Sequence, residues 1–403
     1  MNPATDQQVR VLLFTGKGGV GKTTAAAATA AAAAARGSKT LVLSTDPAHS
    51  LHDALGMPLG ATPTEVDTGL YAMQVDTQAA FERTWREVQG YLLAVLERAG
   101  VDALQAEELT VLPGAEEVLA LLEVSRQVTT GPWDLIVVDC APTGETLRLL
   151  ALPEALSWYV EKVFPAQRRA LRALRPLLSR VSGPTVPHED VFDAVERLHR
   201  ELLAVRAVLT APSTSVRLVL TPEAVVVAEA RRTLTSLALY GYRVDALLAN
   251  RVFPSSKDPF LAGWAAAQTV QLEAVRADAG SLPVLEVPYR AAEPVGLAAL
   301  TDLGQALYGE NDPAAALPGD GPELLIVART TDGFELSLAL PLARRDELGL
   351  VRSGDELVVT VAGHRRVLAL PSALRRCNVA GAVLTGGRLV VRFEPDPALW
   401  RKT

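Results

Sequence analysis

The sequence predicts an α/β protein: a mostly parallel sheet with a helical subdomain, followed by a small antiparallel β-sandwich. Three observations carry the prediction. Short, continuously apolar runs alternate with longer helical patterns up to about residue 310, as expected for strands covered on both faces. The stretch 309–322, rich in Gly, Pro, Asp and Asn, then breaks the pattern and reads as a linker. Beyond it, short alternating segments separated by Gly-containing turns indicate antiparallel strands.

The first domain spans 1–308. Its candidate strands are Val11–Phe14, Thr40–Ser44, Tyr71–Val75, Leu135–Asp139, Val216–Leu220, Val244–Ala249 and Val284–Val287. Helical stretches between them require right-handed crossovers. Two regions interrupt the alternation, about 77–128 and 153–210. In the second, Leu171 and Leu174 are spaced for one helix face. Together these regions form the predicted helical subdomain. The final domain, 323–396, has candidate strands Leu324–Arg329, Phe334–Leu340, Glu356–Val361, Arg366–Leu370 and Arg388–Phe393.

Composition narrows the partners. Of 403 residues 49% are hydrophobic, and the net charge is −7. Residues 1–322 carry 37 acids against 27 Lys and Arg, whereas 323–403 carry 9 against 12. An acidic main domain argues against a nucleic-acid partner. Two cysteines, Cys140 and Cys377, make a disulfide framework improbable and fit a reducing compartment. The polar start, Met1–Arg10, shows no signal-peptide pattern. The apolar stretch Ala25–Ala35 is shorter than the about 20 residues of a membrane span. The expected location is cytoplasmic.

The run Gly16-Lys17-Gly18-Gly19-Val20-Gly21-Lys22-Thr23-Thr24 lies between the first candidate strand and a helical stretch. That is the context of a phosphate-binding loop. Its glycines let successive N–H groups point at phosphate oxygens, and the following helix adds its positive N-terminal end. Lys22 is placed to reach the β- and γ-phosphates and Thr23 to offer its hydroxyl to Mg²⁺. ATP and Mg²⁺ are therefore the expected cofactors. Lys17 is not needed for that cradle and asks for a separate role.

Asp46 follows the second strand, where a carboxylate approaches the γ-phosphate and orients the attacking water. Capping of a helix starting near Ala48 is the alternative. His49 and His52 have no supporting Cys or acid cluster for zinc. Asp139 ends an apolar strand, the form of an acidic residue that holds Mg²⁺. Thr23, Asp46 and Asp139 make up the predicted metal set. Asn250 and Arg251 end another strand; an amide there can recognise adenine, although Asn also commonly ends strands in turns.

Taken together, these residues make the chain resemble the ArsA ATPases, a P-loop NTPase family that includes arsenite-pump ATPases and the targeting ATPase for tail-anchored membrane proteins. The resemblance covers 11–308. It rests on the phosphate loop, Asp46-Pro47-Ala48-His49-Ser50, Pro113-Gly114-Ala115-Glu116-Glu117, Asp139-Cys140-Ala141-Pro142-Thr143-Gly144 and Asn250-Arg251. It implies that Lys17 reaches the phosphates of a partner's site across a nucleotide-bridged homodimer. It further implies that Asp46 acts on water, Asp139 on magnesium and Asn250 on adenine, with the loop from Pro288 to Gly296 wrapping the base. Where the family commonly has histidine after Thr-Gly, this chain has Glu145. With two cysteines a three-thiolate arsenite site cannot form within one chain, and no Cys-x-x-Cys zinc clasp is present.

Residues from Glu323 to Glu394 resemble the α-crystallin domain of small heat-shock proteins, through Leu357–Val361, Arg365–Pro371 and Ala382–Leu389. The expected function is a nucleotide-switched homodimeric ATPase that handles or targets a protein client. Alternatives are a motor for a membrane anion transporter and a spatial-organising partition ATPase. The last fits poorly with an acidic main domain and a β-rich terminus.

Overall fold

The computed structural model describes residues 9–46, 50–75, 115–140, 189–315 and 323–399. The chain begins with β1 (Arg10–Thr15), α1 (Lys22–Ala34), β2 (Thr40–Ser44), α2 (Ser50–Leu55), β3 (Thr64–Asp67) and β4 (Leu70–Gln74). Then come α3 (Ala115–Thr130), β5 (Leu135–Asp139), α4 (Glu189–Leu209), β6 (Thr214–Leu220) and α5 (Ala224–Tyr240). The first domain closes with β7 (Val244–Val252), α6 (Pro259–Ala279), β8 (Val284–Pro288) and α7 (Leu297–Tyr308). These strands form an eight-stranded sheet in the order β3-β4-β2-β5-β1-β6-β7-β8. Its pairs are parallel except β3 with β4.

All seven predicted strands lie in this sheet, β2 and β5 with the predicted bounds and the other five with ends shifted by a residue or more. β3 was not predicted. It pairs on one side and is largely exposed, so little hydrophobic pattern is required of it. Helices α3 and α4 fall at the ends of the predicted helical regions. The remainder of those regions, 77–114 and 153–188, lies outside the described residues, as do Pro47, Ala48, His49, Pro113, Gly114 and 141–146 with Glu145.

Central strands β2, β5 and β6 are buried at every position, which explains their continuous apolar reading. The alanine run of α1 is buried because α7 packs closely over it. A Cβ on Gly304 would lie 2.4 Å from the Ala28 carbonyl oxygen. Small side chains on both helices permit that approach.

One charged cluster sits inside this sheet. Arg217 is fully buried in β6. Its guanidinium pairs with Asp245 Oδ1 at 3.3 Å and donates to Tyr308 OH at 2.8 Å and Pro313 O at 2.9 Å. Arg10 reaches Asp245 Oδ2 at 3.0 Å and Ala314 O at 3.1 Å. The start of the Pro- and Gly-rich segment is therefore bonded to the sheet. Its later part, 316–322, lies outside the described residues.

The C-terminal strands are β9 (Leu325–Arg329), β10 (Phe334–Ala339), β11 (Leu348–Ser353), β12 (Glu356–Val361), β13 (His364–Ala369), β14 (Cys377–Thr385) and β15 (Arg388–Pro395), with α8 (Ser372–Arg375) before β14. They form antiparallel sheets in the orders β14-β15-β10-β9 and β11-β12-β13. Alternate residues Leu336, Leu338, Leu357, Val359, Leu389, Val391 and Phe393 meet in a common core, as in a sandwich. Strands β11 and β14 were not among the predicted ones. β14 is mostly exposed and shifts register between Val379 and Gly381, which blurs its alternation.

This sandwich docks on the end of α5. Leu239 joins its core, and the Tyr240 ring meets His364 edge-on with centroids 6.3 Å apart. Arg366 donates to the Leu239 carbonyl, and Thr235 to that of Pro341.

Candidate functional site

The site forms where β1, β2 and β5 end side by side. The parallel register sets Asp139 beside both Phe14 and Ser44, and the ligand face of such a sheet lies beyond these ends. Gly16 follows β1 where a Cβ would sit 2.1 Å from the Val219 carbonyl oxygen. Gly18 and Gly19 lie at the open tip of the loop, and Val20 is buried beneath it. Gly21 starts α1 with φ 93°, a left-handed conformation that glycine adopts without penalty. A Cβ there would also collide with the Asn250 amide at 2.2 Å.

Lys22 is buried, and its Nζ donates to the Lys17 carbonyl at 3.3 Å across the loop. The Lys17 side chain is 39% exposed and its Nζ lies 3.6 Å from Glu229 on α5. The two lysines of the loop thus have different surroundings.

Thr23 and Asp139 meet directly: Thr23 Oγ1 donates to Asp139 Oδ2 at 2.8 Å. Ser44 donates to the same oxygen at 3.1 Å, and Ser50 Oγ lies 3.0 Å from Thr23 Oγ1. Asp139 Oδ1 is buried and meets no hydrogen-bond donor among the described residues. Burial pushes the Asp139 pKa up to about 6, against the pull of the Thr23 and Ser44 hydroxyls and of Lys22, with Asp46 adding a smaller upward push. A bare, buried carboxylate oxygen beside two hydroxyls is a hard-oxygen donor set that fits Mg²⁺. Thr23, Ser50 and Asp139 would hold the ion, which supplies neutralisation of phosphate charge when bound.

Asp46 is fixed through its backbone. Its N–H donates to Ser44 Oγ at 3.2 Å, and its carbonyl accepts from Gln74 Nε2 at 2.7 Å. The described part of α2 runs from Ser50 to Leu55, and residues 47–49 between it and Asp46 lie outside the described residues. Ser44 therefore touches both the Asp46 backbone and the Asp139 carboxylate. Ser44, Ser50 and Gln74 were not singled out from sequence. Ser44 had a signal, as the residue closing a strand two positions before Asp46, whereas Gln74 needed the β2–β4 pairing.

A cleft of about 390 Å³ opens beside the loop, lined by Gly21, Thr24, Asn250, Arg251, Pro288 and Tyr289, with Glu293 and Pro294 at its rim. Asn250 Nδ2 donates to the Val20 carbonyl at 2.7 Å, and its Oδ1 accepts from the Arg251 N–H at 2.9 Å. One amide proton and one lone pair remain for a base. Predicted residues from two distant segments, Asn250–Arg251 and Pro288, thus line one cleft with the phosphate loop. Cys140 and Cys377 lie apart, each buried in a different core. Burial pushes the Cys140 thiol up to about 12.

A family model described as anion-transporting ATPase, of the ArsA type, matches residues 9–309. The chain belongs to the ArsA ATPase family. A second model, an HSP20-like domain found in ArsA, matches residues 331–393. An uncharacterised protein of Streptomyces coelicolor is 42% identical over 396 residues, covering 97% of this chain and 99% of its own. A protein of Prosthecochloris vibrioformis, provisionally named an arsenical pump-driving ATPase, is 37% identical over 391 residues, 96% of each chain. The ATPase GET3B of Arabidopsis thaliana is 32% identical over 320 residues, 73% of this chain and 77% of its own. This ArsA-family chain is an ATPase, and a cleft of about 390 Å³ opens beside its Gly- and Lys-rich loop.

Proposed function

We propose that this ATPase works as a homodimer switched by Mg²⁺ and ATP, and that the switch handles or targets a protein client. The observation that supports the dimer reading is the placement of Lys17. Its ammonium is partly exposed and lies 3.6 Å from Glu229, whereas Lys22 is buried; on this reading Lys17 reaches a second copy's phosphates. A cation supplied across an interface stabilises the charge of the transferring phosphoryl group, an effect of ~10³–10⁵ in rate in known systems. Asp46 orients the attacking water, and reopening after hydrolysis resets the dimer.

The client reading draws on the likeness to GET3B and on the thiol count. The competing reading is a motor for a membrane anion transporter, favoured by the names of several relatives. Trivalent arsenic favours soft thiolate ligands, and the two cysteines of this chain are buried in separate cores. Among the described residues no helix is long and apolar enough to cross a membrane.

The test compares Asp46→Asn with Lys17→Ala by light scattering and phosphate release. Asp46→Asn should hold a dimer in Mg²⁺ and ATP without turnover. Lys17→Ala should bind ATP as a monomer and lose hydrolysis; normal turnover by that monomer would defeat the dimer reading. Stimulation of turnover by arsenite would favour the transporter motor.

A further inference from the structure

Strand β7 leaves its ladder before it ends. It pairs with β8 from Leu247 to Ala249, and the register then shifts before Val252 meets Pro288. Asn250 and Arg251 occupy the interruption, and Arg251 has φ 58°, a left-handed conformation disfavoured for a residue with a side chain. Such a kink persists where its surroundings hold it, and it re-aims side chains next to functional sites.

What holds it is Gln268. This glutamine of α6 is 5% exposed. Its Nε2 donates to the Arg251 carbonyl at 3.0 Å, and its Oε1 accepts from the Phe253 N–H at 2.7 Å. These backbone groups flank Val252, the residue at which pairing with β8 resumes. Phe253 in turn stacks on Tyr289, with ring centroids 4.9 Å apart and planes 6° from parallel. The Tyr289 N–H donates to the Val252 carbonyl at 2.8 Å. Arg251 and Tyr289 both line the cleft beside the phosphate loop. One buried amide therefore sets one wall directly and the other through Phe253, while Asn250 ties the same kink to Val20 of the loop.

We propose that Gln268 is a positioning residue that shapes this cleft for adenine, and so sets the preference for ATP over GTP. The proposal rests on the reading that the cleft takes the nucleotide base. A glutamine suits the task because the kink offers one acceptor and one donor, and the amide answers both. Glutamate keeps the bond to Phe253 and loses the donation to Arg251. Leucine loses both and leaves the Arg251 carbonyl and the Phe253 N–H without their partner.

The test uses full-length protein and measures ATP and GTP affinity by calorimetry, with steady-state kinetics alongside. Trp264, whose ring centroid lies 6.1 Å from that of Phe253, provides a fluorescence readout at the site. Gln268→Leu should weaken ATP about tenfold and GTP less than about twofold, and Gln268→Glu should weaken ATP about threefold. Turnover at saturating ATP should stay within about twofold of wild type. Lys22→Ala, which acts on the phosphates, should weaken both nucleotides alike and leave their ratio unchanged. If wild type binds ATP and GTP equally, the base reading of the cleft falls, and this role with it. If wild type prefers ATP and both Gln268 variants keep that preference, the role of Gln268 alone is overturned. Should Gln268→Leu fail to fold, Gln268→Glu decides: an unchanged ATP-to-GTP ratio rejects the proposal.

Discussion

Replacing Asp139 with asparagine should remove a specific pH dependence of stability. The Asp139 carboxylate is fully buried, its Oδ2 is shared by Thr23 and Ser44, and its Oδ1 is bare. Burial raises its pKa from 3.8 to about 6. Between those values the folded chain binds a proton that the unfolded chain has released. Stability of the protein without metal or nucleotide therefore falls as pH rises through that window, and stays lowered above it. A shift of about two units is worth ~3 kcal/mol. Other carboxylates titrate in the same window, so the informative quantity is the difference between wild type and Asp139→Asn, whose amide has no such proton. Urea unfolding in EDTA, followed by tryptophan emission from about pH 4 to about pH 7, measures it. The difference, wild type minus variant, should fall by ~2–3 kcal/mol over that range. Adding Mg²⁺ and ATP near neutral pH should stabilise wild type and not the variant. Profiles that stay parallel within ~0.5 kcal/mol would refute the claim that this carboxylate pays its burial cost uncompensated.

Glu229→Gln frees Lys17 from an ion pair that is 3.6 Å long and partly exposed on both sides. Such pairs hold ~0–1 kcal/mol, so ATP-dependent self-association should strengthen by up to about fivefold in sedimentation experiments. Gly304→Ala drives a methyl group to within 2.4 Å of the Ala28 carbonyl oxygen and 2.7 Å of the Ala32 Cβ. It should destabilise by ~1–3 kcal/mol and, by displacing α1, raise the KM for ATP; thermal melts and kinetics check both. Arg366→Met removes the buried donor to the Leu239 carbonyl. Hydrogen exchange at the C-terminal end of α5 should then quicken by the equivalent of ~1–3 kcal/mol, while the exchange of β5 stays unchanged.

The phosphate loop was legible because its chemistry is local. Glycines, Lys22 and Thr23 must be consecutive to wrap one phosphate, so spacing alone announces them. Asp46 and Asp139 were legible for a related reason: a parallel sheet brings the carboxyl ends of its strands together, and each aspartate follows an apolar run. Gln74 and Gln268 were not legible. They bond to backbone groups many residues away, and a polar residue that satisfies a distant carbonyl looks like any other polar residue along the chain. Arg217 was similarly hidden. It lies in an apolar strand, and its burial depends on Asp245, Tyr308 and Pro313, which only the fold assembles.

By itself, the sequence determined the parallel sheet, the phosphate loop at its carboxyl end and the antiparallel terminal domain, each encoded by periodicity or by spacing within a short segment; the family came from the resemblance of several motifs spread over residues 11–308. Tertiary structure alone decided how these parts face one another. It turned Lys17 toward Glu229 and Lys22 into the loop, left one oxygen of Asp139 bare, seated the β-sandwich on α5 and bent β7 around Gln268. These outcomes depend on contacts between segments separated by tens to hundreds of residues, and no local pattern in a chain records which distant group will lie opposite.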